Sequence, residues 1–274
     1  MIYREFDASP SLRPFVERLW WLEGPAETIS AEPIPPDGRT EIIVHGGDPF
    51  AQIDDAGAPR VQDRVLLAGQ LTRAVRLRPR GHARIAGAHL RPHAAHALFG
   101  VPQREMTDSI VDLRSVHRRL ARRLRDDVAG RESGEAMIAA LSCALEAHAD
   151  AARSRTAGAT AAAVAIATRR RGLVQVADLA GAVGLSARQI ERLFDERVGL
   201  SPKFFLRVVR FQEVLRGIRQ ETRCATWAAR AAEHGFYDQA HFIRDFKTFV
   251  GEPPGTWHVG AESLAAIFSA LRRD

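Results

Sequence analysis

The chain has 274 residues, of which 46% are apolar and 26% charged, and a net charge of +6 at pH 7. This length favours two domains, and the composition is that of an ordinary globular protein. No run approaches the roughly 20 apolar residues of a membrane span, and the N-terminus, MIYREFDASP, carries no secretory pattern. We therefore expect a cytoplasmic protein without a membrane partner.

Charge and cysteine usage narrow the function classes further. Residues 160–274 carry 17 Lys and Arg against 12 Asp and Glu, whereas residues 1–159 are nearly balanced at 22 against 21. The positive excess thus lies in the C-terminal part, which favours a polyanion partner there. Cys143 and Cys224 lie far apart and form no metal-binding pattern.

Residues 1–110 are predicted to form a β-rich domain. Four apolar stretches of six to eight residues are separated by Gly, Pro and Asp: 39–45, 64–69, 74–79 and 83–90. Closely spaced short strands are typical of a β-barrel or sandwich. The stretch 12–24, LRPFVERLWWLEG, fits either the start of a helix or an edge strand.

Residues 111–159 are predicted to be a helical connector and linker. Leu113, Val116, Leu120 and Leu124 recur at helical spacing, and a second helical stretch covers 135–149. Small and polar residues then fill 149–163, which indicates a linker running into a helix, although its alanines are also compatible with a longer helix.

Residues 160–258 contain an internal repeat. Ala180-x3-Gly184 precedes Arg192-x-Phe194-x4-Gly199-x2-Pro202, and about 52 residues later the same order of residue types recurs from Ala231 to Pro254. Each copy predicts a short helix, a glycine turn and a second helix, the layout of a helix-turn-helix unit. The stretch 201–220 between the copies predicts one continuous helix of about five turns.

The second helix of each copy is amphipathic. Ile190, Leu193 and Phe194 form the apolar side of the first, and Phe242, Phe246 and Phe249 that of the second. The opposite sides carry groups suited to base edges and phosphates, since arginine pairs with guanine and glutamine with adenine. The candidate DNA-binding residues are Arg188, Glu191, Arg192, Lys203, Gln239, Ala240, Arg244 and Lys247.

The segments 179–210 and 231–254 resemble the DNA-binding domain of the AraC/XylS family of bacterial transcription regulators. The resemblance implies sequence-specific binding of double-stranded promoter DNA, with Arg188, Glu191 and Arg192 facing one groove and Gln239, Ala240 and Arg244 the next. Two departures bear on the second helix. Pro253 stands where the family usually has serine, and Ala240 is too short to hydrogen-bond, so readout there is expected to depend more on contact.

The first 110 residues resemble the barrel-like domain of one AraC-type subgroup, through 12–24, 35–49 and 87–100. Such domains in the family bind a small effector or mediate dimerisation. The resemblance therefore leaves a small-molecule effector, RNA polymerase and a second copy of the chain as candidate partners. A C-terminal helical tail is expected over 259–274.

Several residues of the first half also suggest a metal site or a ligand site. His89, His93 and His96, with His82 before them, suggest a metal site, but Pro92 interrupts the run and no metal-enzyme motif accompanies it. We expect polar or capping histidines, no metal, no cofactor and no enzymatic activity. Pro35-Pro36-Asp37-Gly38 predicts a turn, with Asp37 a weaker candidate for a ligand site. Two alternatives stay open: a cupin-like metal enzyme tethered to a DNA-binding domain, and a regulator whose N-terminal domain only dimerises.

Overall fold

The computed structural model describes residues 1–26, 30–150, 152, 158–220 and 226–257. A β-rich N-terminal domain with trailing helices precedes an all-α region of two helix-turn-helix units joined by one helix, which confirms the predicted fold class. The two sheets of the first domain face one another but do not close into a single barrel. Within these ranges, no helix is both long and apolar enough to cross a membrane.

The N-terminal domain contains ten described strands. In chain order they are β1 Ile2–Asp7, β2 Val16–Pro25, β3 Glu32–Ile34, β4 Thr40–His45, β5 Ala51–Ile53, β6 Pro59–Val61, β7 Val65–Ala68, β8 Val75–Arg78, β9 His82–Leu90 and β10 Ile110–Asp112. One sheet has the order β1-β2-β9-β4-β7-β10 and the other β3-β8-β5-β6, with antiparallel pairing throughout. All four predicted strands are present, as β4, β7, β8 and β9.

Helices occupy the rest of the described chain. They are α1 Ala94–Phe99, α2 Leu113–Val116, α3 Arg118–Asp127, α4 Gly134–Ala149, α5 Gly158–Arg169, α6 Val176–Ala182, α7 Ala187–Arg197, α8 Pro202–Gln220, α9 Trp227–Glu233 and α10 Gln239–Val250, with a short 3-10 turn at Gln103–Glu105. The predicted tail 259–274 lies outside the described residues, as do residues 151 and 153–157 of the predicted linker, whose last part belongs to α5. The unbroken α8 confirms the predicted linker helix.

Within the stretch 12–24, residues 12–15 form a turn and the rest belongs to a strand, so neither alternative, the start of a helix or an edge strand, is correct. Val16–Pro25 pairs with β9 on one side and with β1 on the other, so β2 lies inside the sheet. The edge beside β2 is formed by Ile2–Asp7, a strand without a fully buried residue that the sequence analysis did not predict.

Two neighbouring tryptophans on β2 divide the N-terminal domain into two apolar layers. Trp21 packs outward against α4, where a Cβ on Gly134 would lie 2.0 Å from its ring. Trp20 points inward between the sheets, where a Cβ on Gly87 would lie 2.2 Å from its ring. Since side chains alternate along a strand, adjacent residues serve opposite faces. The cavity described below is lined in part by residues of this inner layer.

The C-terminal region has two apolar clusters that share one helix. Ile190 and Phe194 of α7 pack with Phe205 of α8, whereas Phe242 and Phe246 of α10 belong to a second cluster with other residues of α8. Phe204 contacts both clusters. The long helix therefore serves as a common support for the two helix-turn-helix units.

Candidate nucleic-acid interface and interdomain cavity

The first helix-turn-helix unit consists of α6, a glycine turn and α7. Gly184 has φ +69°, a left-handed conformation that glycine adopts without strain. Ser186 then caps α7: its hydroxyl accepts from the backbone N–H of Gln189, whose side chain in turn accepts from the backbone N–H of Ser186. This capping box fixes where the second helix begins and so sets the phase of its exposed face.

The second unit repeats this construction with different chemistry. Thr226 caps α9, and Gly235 makes the turn at φ +69°. Asp238 caps α10 by accepting from the backbone N–H of His241 at 2.6 Å. Gly184 and Gly235, which occupy equivalent positions in the repeat, thus have the same backbone conformation.

In both second helices the apolar side is buried and the polar side is exposed. Ile190 and Phe194 are buried in α7, as are Phe242, Phe246 and Phe249 in α10. All eight candidate DNA-binding side chains are exposed: Arg188, Glu191, Arg192, Lys203, Gln239, Ala240, Arg244 and Lys247. Their assignment as DNA contacts remains a prediction.

The exposed arginines have no ion-pair partner among the described residues. The nearby carboxylates have other partners: Glu196 is 3.9 Å from His96, and Asp245 is bound by Arg207 at 2.7 Å. Arg192 and Arg244 are therefore available to an external anion, as a base-reading or phosphate-binding residue must be.

The linker helix holds α10 through a buried ion pair. The guanidinium of Arg207 donates to both oxygens of Asp245, at 2.7 and 3.2 Å, and lies between the rings of Phe204 and Phe249. Asp245 is only 3% exposed. Three residues further along α8, Arg210 lies over the ring of Phe236, and burial lowers its pKa. These contacts fix the orientation of α10 relative to α8.

The N-terminal domain contacts α7 and α8 directly. The hydroxyl of Thr107 donates to the carbonyl of Gly199 at 2.6 Å, and Arg104 lies 3.6 Å from Asp195 of α7. Farther along, the side chain of Gln212 in α8 donates to the carbonyl of Pro36 at 2.6 Å, in the turn predicted from the sequence. The chain thus positions its DNA-binding half against its β-rich half at two separate places.

A cavity of about 70 Å³ lies where the turn meets α8. Its walls are mostly apolar, and its polar groups come from Asp37, Arg39, Glu41, Gln62 and Gln212. The apolar lining residues are Ile34, Pro35, Ile43, Ala68, Leu71, Val75, Leu77 and Ile110. Gln212 makes the DNA-binding half part of the wall.

The polar side of the cavity is electrostatically unusual. Arg39 is 4% exposed, and its guanidinium donates twice to Glu17, each time at 2.9 Å. Burial by itself lowers the pKa of Arg39, but Glu17 and Asp37 outweigh that effect and raise it. Burial raises the pKa of Asp37, against the opposing influence of Arg39.

The four histidines singled out from the sequence do not converge. His82 is exposed at the start of β9, His93 precedes α1, and His96 contacts the carbonyl of Val101. His89 instead faces the interior, with its Nδ1 2.7 Å from Oε1 of Glu41. Glu41 was not identified from the sequence. Glu41 and Ile43 are two residues apart in β4, and because side chains alternate along a strand, both lie on the cavity side.

Comparison with known families matches the two halves separately. Residues 179–258 match the family described as a helix-turn-helix domain, and residues 4–112 match one described as a domain of unknown function, DUF6597. No curated protein matches the chain.

Solved structures of ToxT from Vibrio cholerae are similar over most of the chain at low identity. The form bound to (E)-4-(8-methylnaphthalen-1-yl)but-3-enoic acid has 12% identity and a TM-score of 0.47, covering 85% of this chain and 96% of ToxT. The form bound to an unsaturated fatty acid has 9% identity and a TM-score of 0.44, covering 85% and 93%. This similarity is too distant to carry a functional argument.

The two helix-turn-helix units on one continuous helix define a DNA-binding protein. The spacing, the paired copies and the family match identify the C-terminal domain as one of the AraC type. The chain is accordingly a DNA-binding transcription regulator.

Proposed function

We propose that the chain binds promoter DNA in a sequence-specific manner, with α7 and α10 in successive major grooves. The observation that carries this proposal is that α7 and α10 each expose a polar face and are both packed on one continuous helix, α8. Both helices pack on α8, which fixes their relative position, and the proposal requires their exposed faces to be roughly 34 Å apart, the distance between successive turns of one groove.

Each exposed side chain then has a role that follows from its chemistry. Arg188, Arg192 and Arg244 are suited to guanine, and Gln239 to adenine. Glu191 can accept from the amino group of cytosine, and the methyl group of Ala240 can pack against that of thymine. Lys203 and Lys247 are suited to phosphates, which position the protein without reading sequence.

We further propose that the N-terminal domain senses a small molecule in the cavity and has no catalytic role. Mostly apolar walls with a few polar groups are typical of ligand sites. Because Gln212 lines the cavity and donates to Pro36, a ligand there would contact the turn and the linker helix together. Occupancy would therefore change how firmly the linker helix is held.

Two substitutions distinguish base reading from backbone contact. Arg192→Ala is expected to cost about 1–3 kcal/mol in binding and to relax preference at one operator position. Lys203→Ala should weaken all sequences alike and reduce the slope of log affinity against log salt by about one unit. The measurement is a selection of binding sites by the whole protein, followed by titrations at several salt concentrations. An Arg192→Ala protein with unchanged affinity and unchanged base preference would contradict the proposed placement of α7.

A further inference from the structure

The geometry points to a binding site for one divalent transition-metal ion of the Mn²⁺, Fe²⁺ or Zn²⁺ kind, held by Asp37, Glu41 and His89 beside the cavity. This inference depends neither on DNA binding nor on the sensing role proposed above. It rests on the convergence of the three side chains, on the state of the buried imidazole, on the local charge and on access from the cavity.

The fold brings the three residues together from distant parts of the sequence. Glu41 and His89 are directly opposite each other in the pairing of β4 with β9, and Asp37 belongs to the turn that leads into β4. One ligand atom from each lies within 4.8 Å of the others. Each bond to such an ion is about 2.1 Å long, so neighbouring ligand atoms are about 3 Å apart and opposite ones about 4.2 Å apart. Completing the site therefore requires adjustment of the three side chains, which includes moving Nδ1 of His89 and Oε1 of Glu41 apart from their 2.7 Å separation.

The imidazole of His89 provides a second, independent observation. The side chain is fully buried, yet neither ring nitrogen makes a hydrogen bond of acceptable geometry within the described part of the chain. Its Nδ1 and Oε1 of Glu41 are 2.7 Å apart without being aligned as donor and acceptor. A buried polar group without such a bond is costly, and an ion bound by both the imidazole and the carboxylate would remove that cost.

The local charge also favours a cation. Arg39 is the nearest guanidinium, 3.5 Å from Asp37, but it is held by two hydrogen bonds to Glu17 that balance its charge. Asp37 and Glu41 then contribute two further negative charges beside an apolar cavity. Burial of like charges is unfavourable unless a cation or a proton neutralises them. The experiment must therefore separate metal binding from protonation.

Donor type and access indicate which ions fit. Two carboxylates and one imidazole form an oxygen and nitrogen set, which suits Mn²⁺, Fe²⁺ and Zn²⁺ better than ions that prefer thiolates. Asp37 and Glu41 line the cavity, so an ion can reach them from it. The sequence led us to expect no metal because the histidines were treated as one group of ligands. In the proposed site, His89 is instead combined with two carboxylates.

The test uses the full chain, freed of metal by a chelator and titrated calorimetrically with Mn²⁺ and with Zn²⁺ at pH 7. We expect one ion per chain and a rise in the unfolding temperature on binding, because an ion that binds only the folded chain stabilises it. Glu41→Gln and His89→Gln should each weaken binding at least tenfold, since even substitutions outside the ligand set commonly cost that much. His45→Gln is the matched control, because His45 is a buried histidine of the same sheet outside the ligand set.

Absence of stoichiometric binding by the wild-type chain would overturn the inference. So would binding that survives Glu41→Gln and His89→Gln, because the ion would then sit on other residues. Unfolding curves of the metal-free variants show whether they are folded at the temperature of the titration. If His89→Gln does not fold, the Glu41→Gln chain, in which an amide of the same shape replaces the carboxylate, decides the outcome.

Discussion

The ion pair between Arg207 and Asp245 should be a principal determinant of how the second helix-turn-helix unit is held. Asp245→Ala removes both hydrogen bonds to Arg207 and leaves a guanidinium that is only 25% exposed without its carboxylate. Breaking one side of a buried pair costs about 3–5 kcal/mol. Because a quarter of the Arg207 side chain still reaches water, we expect a loss of about 3 kcal/mol in the free energy of unfolding.

The neighbouring residue provides the control. Arg244 is exposed and has no ion pair within the described ranges, so Arg244→Ala should change the free energy of unfolding by less than about 0.5 kcal/mol. Under the proposed function it should nevertheless weaken binding to DNA. Urea unfolding measures the first quantity, and titration with the selected operator measures the second. Adjacent substitutions are thus expected to separate stability from DNA binding.

The result that would refute this reasoning is specific. If Asp245→Ala costs less than about 1 kcal/mol, the pair does not hold α10 against α8, and the packing of Phe246 and Phe249 alone fixes the helix. If Arg244→Ala is as destabilising as Asp245→Ala, the exposed face of α10 has a structural role that the contacts described here do not account for.

Two further predictions concern the N-terminal domain. Burial lowers the pKa of His45 from 6.5 to about 4, so the unfolded chain binds a proton that the folded chain excludes. Neutral His45 therefore contributes up to about 3 kcal/mol to the free energy of unfolding above pH 6.5, and this contribution is lost as the pH falls toward 4. His45→Gln should flatten the dependence of the free energy of unfolding on pH in this window, as measured by urea unfolding. His82→Gln, at an exposed histidine, should leave that dependence unchanged. Gly134→Ala should destabilise by about 1–3 kcal/mol, because its Cβ meets the ring of Trp21. Gly181→Ala, where nothing lies within 4 Å of the Cβ, should stabilise α6 by up to about 1 kcal/mol; equal effects of the two would contradict the packing described.

The helical half of the fold could be predicted from the sequence because the residues that specify each helix and turn are close together in the chain. Gly184, Ser186 and Phe194 lie within one short stretch, and the second copy repeats the turn and the buried ring. The repeat thereby predicted the helices, their turns and the exposed faces. It did not predict that Asp245 would pair with Arg207, since that contact joins two helices whose relative phase depends on tertiary packing.

The N-terminal half was predicted as strands but not as a site. Strand order depends on contacts far apart in sequence, and period-two alternation does not say which strand lies beside which. Glu41 and His89 are opposite each other only because β4 pairs with β9, and Gln212 reaches Pro36 across most of the chain. For the same reason, the four histidines are close together in sequence but do not converge in the fold.

The position of Gln212 has a consequence for anyone who recombines regulators of this architecture. A chimera joined in the segment before α5 would take the DNA-binding half from one parent and most of the cavity from the other. Since Gln212 belongs to α8 but lines the cavity and donates to Pro36, such an exchange also replaces one wall and the contact that secures the turn. A chimera that is to keep this wall of the cavity must therefore carry this one side chain with the β-rich parent.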